Sequence, residues 1–70
     1  MDDILIRYGK ALRKLRTKQN ISQEDFAEKC GLHRTYISDV ELGKRNISLE
    51  NIERISQALG ISLPEFFCEV

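Results

Sequence analysis

The stretch that decides the fold is QEDFAEKCGLHRTYISDVEL, which runs from Gln23 to Leu42. Gly31 lies near its middle, and glycine tolerates the left-handed backbone that a sharp helix-ending turn requires. Ser22 precedes the stretch as a predicted N-cap, with Asp25 at the N3 position of a capping box. Apolar or small residues recur at helical spacing on both sides of the turn: Phe26, Ala27, Cys30, Leu32, Ile37 and Val40. The pattern predicts two short helices joined by a tight turn.

The spacing within this stretch is that of a helix-turn-helix motif, predicted over about residues 22–42. Ala27 is small at the place where a steeply crossing second helix would press on the first, and Gly31 follows four residues later. If Ile37 faces inward, a rotation of about 100° per residue also turns Val40 and Glu41 inward. The opposite side of the second helix then decides whether the motif binds DNA.

That outward side carries hydrogen-bonding side chains. Thr35, Ser38 and Asp39 point away from the core, and Arg34 lies on the first turn, where it can reach past the helix end. These residue types suit base edges in the major groove, with arginine a donor to guanine and aspartate an acceptor from cytosine. A merely solvated face is the alternative for a short helix, but the turn spacing favours base reading by all four residues.

Polar residues around the second helix suit the phosphates of DNA. The loop after Gly43 carries two cations and an amide, and its place beside the second helix favours phosphate contact over simple solvation. His33 stands at the helix start in place of the usual Asp, Ser or Thr cap. The residues expected to contact phosphates are Ser22, Gln23, His33, Tyr36, Lys44, Arg45 and Asn46.

Three further helices complete a predicted all-α domain over residues 1–70. The first runs from about Ile4 to Lys18, and its inner stripe consists of Leu5, Tyr8, Leu12 and Leu15. The last two are expected over residues 48–59 and 62–68, capped by Ser48 and Ser62, and they serve the core and dimerisation. The inner face of the 48–59 helix is expected to consist of Leu49, Ile52, Ile55 and Leu59.

Apolar residues crowd the end of the chain and suggest a partner subunit. Phe66 and Phe67 are offset by about 100° on a helix, so they cannot share one inward direction. We expect Phe66 to pack on the 48–59 helix and Phe67 to lean towards a second copy. Core packing alone explains these residues about as well, but the two-fold logic of operator binding favours a homodimer. The predicted dimer interface is Phe66, Phe67 and Val70.

Residues 12–67 resemble the phage-repressor and Cro-type helix-turn-helix family, often called the XRE family. The matching segments are LRKLR at 12–16, ISQEDFAEKCGL at 21–32, YIS at 36–38, Glu41 with Gly43, and LENIERISQALGISLPEFF at 49–67. Within the family, HRTYIS followed by ELGKRNISLENI is most similar to the small controller proteins of restriction–modification systems.

The resemblance implies a fold, a function and one internal contact. The implied fold is a compact five-helix domain of the lambda-repressor type. The implied function is transcriptional regulation by a homodimer on a pseudo-palindromic operator in double-stranded DNA. The resemblance also implies a partly buried ion pair between Arg16 and Glu41, for which two unrelated surface charges are the alternative.

Charge distribution matters more here than the net charge, which is zero. Residues 1–45 carry ten Lys/Arg against seven Asp/Glu, whereas residues 46–70 carry one Arg against four Glu. The basic half contains the helix-turn-helix, which favours nucleic acid as a partner. Because the whole chain is neutral, specific contacts and dimerisation would have to supply the affinity.

Other functional classes find little support in the sequence. Cys30 and His33 have the spacing of two metal ligands, but no second pair follows. Cys30 and Cys68 are expected to be reduced thiols, and no segment suggests a membrane span or a signal peptide. We therefore expect a cytoplasmic protein that is not an enzyme and has no metal, cofactor or small-molecule ligand. An antitoxin-like or adaptor module that uses the apolar C-terminus is the alternative.

Overall fold

The computed structural model describes residues 3–70, which form five α-helices and no strand. The helices are α1 (Ile4–Lys18), α2 (Gln23–Cys30), α3 (Arg34–Glu41), α4 (Leu49–Leu59) and α5 (Leu63–Phe67). The expected all-α class is confirmed, although residues 1 and 2 of the expected domain lie outside the described residues. None of the helices within residues 3–70 has the length and apolar character needed to cross a membrane.

Local signals set the helix ends. The Ser22 hydroxyl accepts a hydrogen bond from the backbone N–H of Asp25 at 3.1 Å, which begins α2. Gly31 ends α2 in the left-handed region, with φ of 72°. At α5, Ser62 and Glu65 form a reciprocal capping box, in which each side chain accepts from the other residue's backbone N–H. The turn between α2 and α3 is short because Gly31 ends α2 and α3 begins three residues later, at Arg34.

The core lies between α1, α2, α3 and α4, and α5 closes one side of it. α1 packs on α3, and α2 packs on both α3 and α4. Because α3 is only eight residues long, packing against its neighbours rather than intrinsic propensity must hold it in place. The largest fully buried side chains are Phe26, Phe66, Leu12, Ile37, Ile55 and Val40.

The prediction that Leu49 belongs to the core is wrong. Leu49 is 78% exposed, although it was expected on the inner face of α4. It is the first residue of that helix, and it lies about 100° from the inward direction defined by the buried residues Ile55 and Leu59. Ile52 is half-buried, so the inner face begins one turn later than expected.

The two C-terminal aromatic residues have different environments. Phe66 is 1% exposed, and its ring stacks on Tyr8 of α1 with 4.6 Å between centroids. Phe67 is 42% exposed. The assignment of Phe66 to a dimer interface is therefore wrong, because the core of its own chain already covers this side chain. The reason is that α1 supplies an aromatic partner from a distant part of the sequence.

Candidate nucleic-acid interface

A buried ion pair fixes α3 against α1. The Arg16 Nε donates to Glu41 Oε2 at 2.6 Å, and Arg16 Nη2 donates to Glu41 Oε1 at 3.0 Å. Each residue is 8% exposed. Both residues of the pair form a further hydrogen bond. Arg16 Nη1 donates to the Ile21 carbonyl oxygen, and Glu41 Oε1 accepts from Gln23 Nε2. The pair implied by the family resemblance is present, and its bidentate geometry orients one helix against the other.

The close approach of α1 to α3 depends on a glycine that the sequence analysis did not single out. A Cβ on Gly9 would lie 2.6 Å from the Glu41 carbonyl oxygen and closer still to that of Val40. The signal for Gly9 in the sequence is its place inside a helical pattern, where a glycine often has a packing reason.

Gly43, in the loop after α3, also lies close to α1. Its φ is 73°, and a Cβ there would lie 2.8 Å from a side-chain carbon of Ile6.

Three of the four predicted base-reading residues, Thr35, Ser38 and Asp39, lie on the sides of α3 away from its buried residues, whereas Arg34 lies on the first turn, about 60° from Ile37 around the helix. Arg34 and Thr35 are exposed, whereas Ser38 and Asp39 are partly exposed. Their arrangement follows from the helical repeat once Ile37 is completely buried. The carboxylate of Asp39 is not isolated, however, because its Oδ2 lies 3.5 Å from Nη2 of Arg45.

A polar cluster joins α3, the loop after it and the first turn of α4. We call Tyr36, Arg45 and Asn51 the tyrosine cluster. The Arg45 guanidinium carbon lies 5.0 Å from the centroid of the Tyr36 ring, and Asn51 Nδ2 donates to the Tyr36 hydroxyl oxygen at 3.0 Å. The structure thus brings together two predicted phosphate-contacting residues. Asn51 was missed, because in the sequence it is an ordinary polar residue near a helix start.

The other predicted phosphate-contacting residues have varied positions. Lys44 and Asn46 are exposed on the same loop as Arg45. Ser22 is exposed at the start of α2, and His33 is the exposed N-cap of α3 but makes no capping hydrogen bond with its side chain. Gln23 is only partly exposed, and one amide hydrogen is engaged with Glu41.

The residues considered for metal binding are not arranged as a metal site. Cys30 is buried at the end of α2, and this burial raises the pKa of its thiol to about 11. The thiol therefore stays protonated at neutral pH and is a poor metal ligand. His33 is exposed, and no group of three or more His, Cys, Asp or Glu side chains within residues 3–70 has the geometry to hold a metal ion.

An apolar groove of about 270 Å³ lies beside the exposed ring of Phe67. Ile4 is also largely exposed at this groove, whereas Val70 is partly buried. Asn46 of the polar loop lines the same groove, so the loop and the apolar surface are neighbours. The complete lining is Ile4, Leu5, Tyr8, Asn46, Ile47, Ile52 and Phe67.

Known proteins are similar to this chain in sequence and in fold. A family model described as helix-turn-helix matches residues 12–66. The control protein C.MunI from Mycoplasma sp. is 54% identical over 71 residues, with 100% of this chain and 96% of the relative covered. The crystal structure of the restriction–modification controller protein C.AhdI from Aeromonas hydrophila has a TM-score of 0.87 and 46% identity, covering 90% of this chain and 96% of that one.

A second solved structure contains DNA. The restriction–modification controller protein C.Esp1396I, as a tetramer in complex with its natural 35-base-pair operator, has a TM-score of 0.88 and 34% identity. The similarity covers 96% of this chain and 88% of that one. From the family match, the identities and the shared fold, the chain belongs to the phage-repressor and Cro-type helix-turn-helix family, in which its relatives include restriction–modification controller proteins.

Proposed function

We propose that this protein is a sequence-specific transcriptional regulator that binds a pseudo-palindromic operator as a homodimer and controls restriction–modification genes. The observation that carries the proposal is the polar outward face of α3 on a helix held in place by the Arg16–Glu41 pair. Preorganised donors on a rigid helix are what direct readout of the major groove requires. The operator-bound relative supports the same conclusion.

Base reading is assigned first to Arg34, Thr35 and Ser38. Arginine can donate two hydrogen bonds to guanine, and the hydroxyls can bond to either donors or acceptors on base edges. Asp39 is assigned to base reading as an acceptor from cytosine. Its Oδ2 lies 3.5 Å from Arg45, and its second oxygen is still able to accept a hydrogen bond from a base.

Phosphate contacts are assigned to the loop after α3 and to the starts of α2 and α3. Positive charge and exposed donors let such residues fix the register of a protein on the duplex without reading sequence. The net charge of zero makes non-specific binding weak, so a few well-placed contacts must matter. The proposed set is Ser22, Gln23, His33, Tyr36, Lys44, Arg45 and Asn46.

The deciding experiment selects duplexes from a random library and then measures affinity for the selected site. Selection should enrich an inverted repeat. Arg34→Ala should lower the affinity for this site by about 1–3 kcal/mol and relax the preference at one base position. Lys44→Ala is the matched control, and it should lower the affinity for the selected site and for random DNA by a similar factor. Failure to enrich any sequence would refute the function, and equal losses for Arg34→Ala on both DNAs would make it a phosphate contact.

We place the dimer interface on the surface around Phe67 and Val70, beside the apolar groove. Two subunits joined there would present their α3 helices about 34–36 Å apart, which is one turn of DNA. Phe67→Glu should give a folded monomer with weakened operator binding, as measured by sedimentation. Leu49→Glu, which changes a more exposed apolar residue on α4, is the control. A parent protein that is monomeric at tens of micromolar would contradict this interface. A dimer that persists in Phe67→Glu but is lost in Leu49→Glu would contradict it as well.

An antitoxin-like or adaptor role is the less favoured alternative, because the relative C.Esp1396I is solved in complex with its operator DNA. Salt-dependent binding to random DNA separates the two, since a pure interaction module should show none. We propose no catalytic role, because a nucleophile–base pair around the single histidine would need the nearby Cys30, which is buried with a thiol pKa raised to about 11, whereas His33 is exposed. A regulator of this kind would act in the cytoplasm, where bacterial DNA lies.

A further inference from the structure

We infer that Asn51 is a positioning residue that aims the Tyr36 hydroxyl hydrogen at a DNA phosphate. The inference rests on the proposed DNA binding and adds a residue outside the surface of α3. It is carried by the tyrosine cluster, in which Asn51 Nδ2 donates to the Tyr36 hydroxyl oxygen at 3.0 Å and Arg45 lies over the Tyr36 ring.

The direction of the Asn51 hydrogen bond determines what Tyr36 can still offer. A phenolic hydroxyl has one hydrogen to donate and lone pairs to accept. Because Asn51 donates to the oxygen, the hydroxyl hydrogen must point away from Asn51. This hydrogen is then available to an acceptor outside the cluster, and phosphate oxygens are the acceptors that DNA presents at the groove edge.

Asn51 is itself held in place by the start of α4. Its backbone N–H donates to the Ser48 hydroxyl at 3.2 Å, which is the cap of that helix. Its side chain therefore extends from a fixed turn rather than from the loop between α3 and α4. The contact links α4, which does not belong to the helix-turn-helix, to the first turn of α3.

Arg45 makes the same place attractive to an anion. Its guanidinium lies 5.0 Å from the ring centroid of Tyr36, at the distance of a cation–π contact. A charged donor and a neutral donor are thus side by side. Tyr36 lies about 100° from Ile37 around α3, on the flank opposite that of Ser38, and its contacts with Arg45 and Asn51 place this flank beside the loop after α3 and the start of α4. The position favours phosphate over a base edge as the partner.

The test is a double-mutant cycle on the selected operator with Asn51→Ala and Tyr36→Phe. Tyr36→Phe should weaken binding by about tenfold, the effect of losing a hydrogen bond to a charged group. Asn51→Ala should weaken it by about threefold to tenfold, because the hydroxyl remains but is no longer aimed. In the Tyr36→Phe background, Asn51→Ala should have no further effect. Gln57→Ala, which removes an amide elsewhere on α4, is the matched control and should leave affinity unchanged.

The salt dependence distinguishes this role from a charge effect. Tyr36 and Asn51 are neutral, so neither substitution should change the slope of log affinity against log salt. Arg45→Gln should lower the slope by about one, because it removes a charge that releases a counterion. Thermal unfolding of each variant should show that it is folded at the assay temperature. If Asn51→Ala does not fold, Asn51→Leu replaces it, since leucine is neutral and of similar size but cannot donate to the Tyr36 hydroxyl.

Three results would overturn the inference. Binding that is unchanged or tighter in Asn51→Ala would mean that Tyr36 does not need this partner. An equal loss from Asn51→Ala in both backgrounds would mean that Asn51 contacts DNA by itself. A parent that binds no selected site refutes the proposed function and this inference with it, and that outcome is visible before any variant is made.

Discussion

Replacing Glu41 by alanine tests how the DNA-binding helix is held. Glu41 accepts hydrogen bonds from two nitrogens of Arg16 and from the amide of Gln23. The side chains of Arg16 and Glu41 are 10% and 3% exposed, so water cannot replace the lost carboxylate well. Glu41→Ala would therefore leave a buried positive charge whose only remaining hydrogen-bond partner among residues 3–70 is the Ile21 carbonyl oxygen.

The expected loss of stability is large for a protein of this size. Removing one member of a buried ion pair typically costs about 3–5 kcal/mol. A 70-residue domain has a free energy of unfolding of about 4–10 kcal/mol, from about 0.05–0.15 kcal/mol per residue. The melting temperature should fall by about 12 °C or more, since each kcal/mol corresponds to about 4–8 °C at this length.

Thermal and urea unfolding of Glu41→Ala against the parent measure this loss. Glu69→Gln is the control, because it breaks the exposed ion pair with Lys14 at 2.8 Å, and such a solvent-screened pair contributes little to stability. If Glu41→Ala loses less than about 1 kcal/mol, the Arg16–Glu41 pair does not hold α3 in solution. A loss equal to that of the control would refute the reasoning in the same way.

Two further predictions concern stability. Gly9→Ala should destabilise the fold by about 1–3 kcal/mol in urea unfolding, because the added Cβ meets backbone carbonyls that cannot move aside; a more stable variant would contradict the close approach of α1 to α3. The hydrogen bond from Lys14 lowers the pKa of Glu69, so its contribution to stability is present above the usual glutamate range and is lost as pH falls through the lowered pKa. The difference in melting temperature between the parent and Glu69→Gln should shrink on acidification, and a difference that grows would contradict the sign.

Much of the fold was predictable because helix boundaries are local. A capping serine acts on the N–H group three residues later, and a left-handed glycine ends a helix at its own position. Ser22, Gly31 and Ser62 do this in the structure. The inward direction of α3 also followed from a single assumption about Ile37, because the helical repeat fixes the rest.

The tertiary structure alone decided which residues meet across the chain. Phe66, near the end of the chain, stacks on Tyr8, near its start, and the carbonyl groups at the end of α3 pack closely against Gly9. Periodicity places a side chain on a face, but it does not identify the residue on the opposing helix.

The candidate site likewise combines residues that the sequence predicts with contacts that only the tertiary structure shows. Residue types and helical repeat pointed to the outward face of α3, and the family resemblance supplied the Arg16–Glu41 pair across 25 positions of sequence. No local pattern joined Asn51 to Tyr36, which are 15 positions apart on different helices. Caps and turns depend on atoms within one helical turn, whereas these contacts exist only after the helices have packed, because packing alone fixes the distance between side chains remote in sequence.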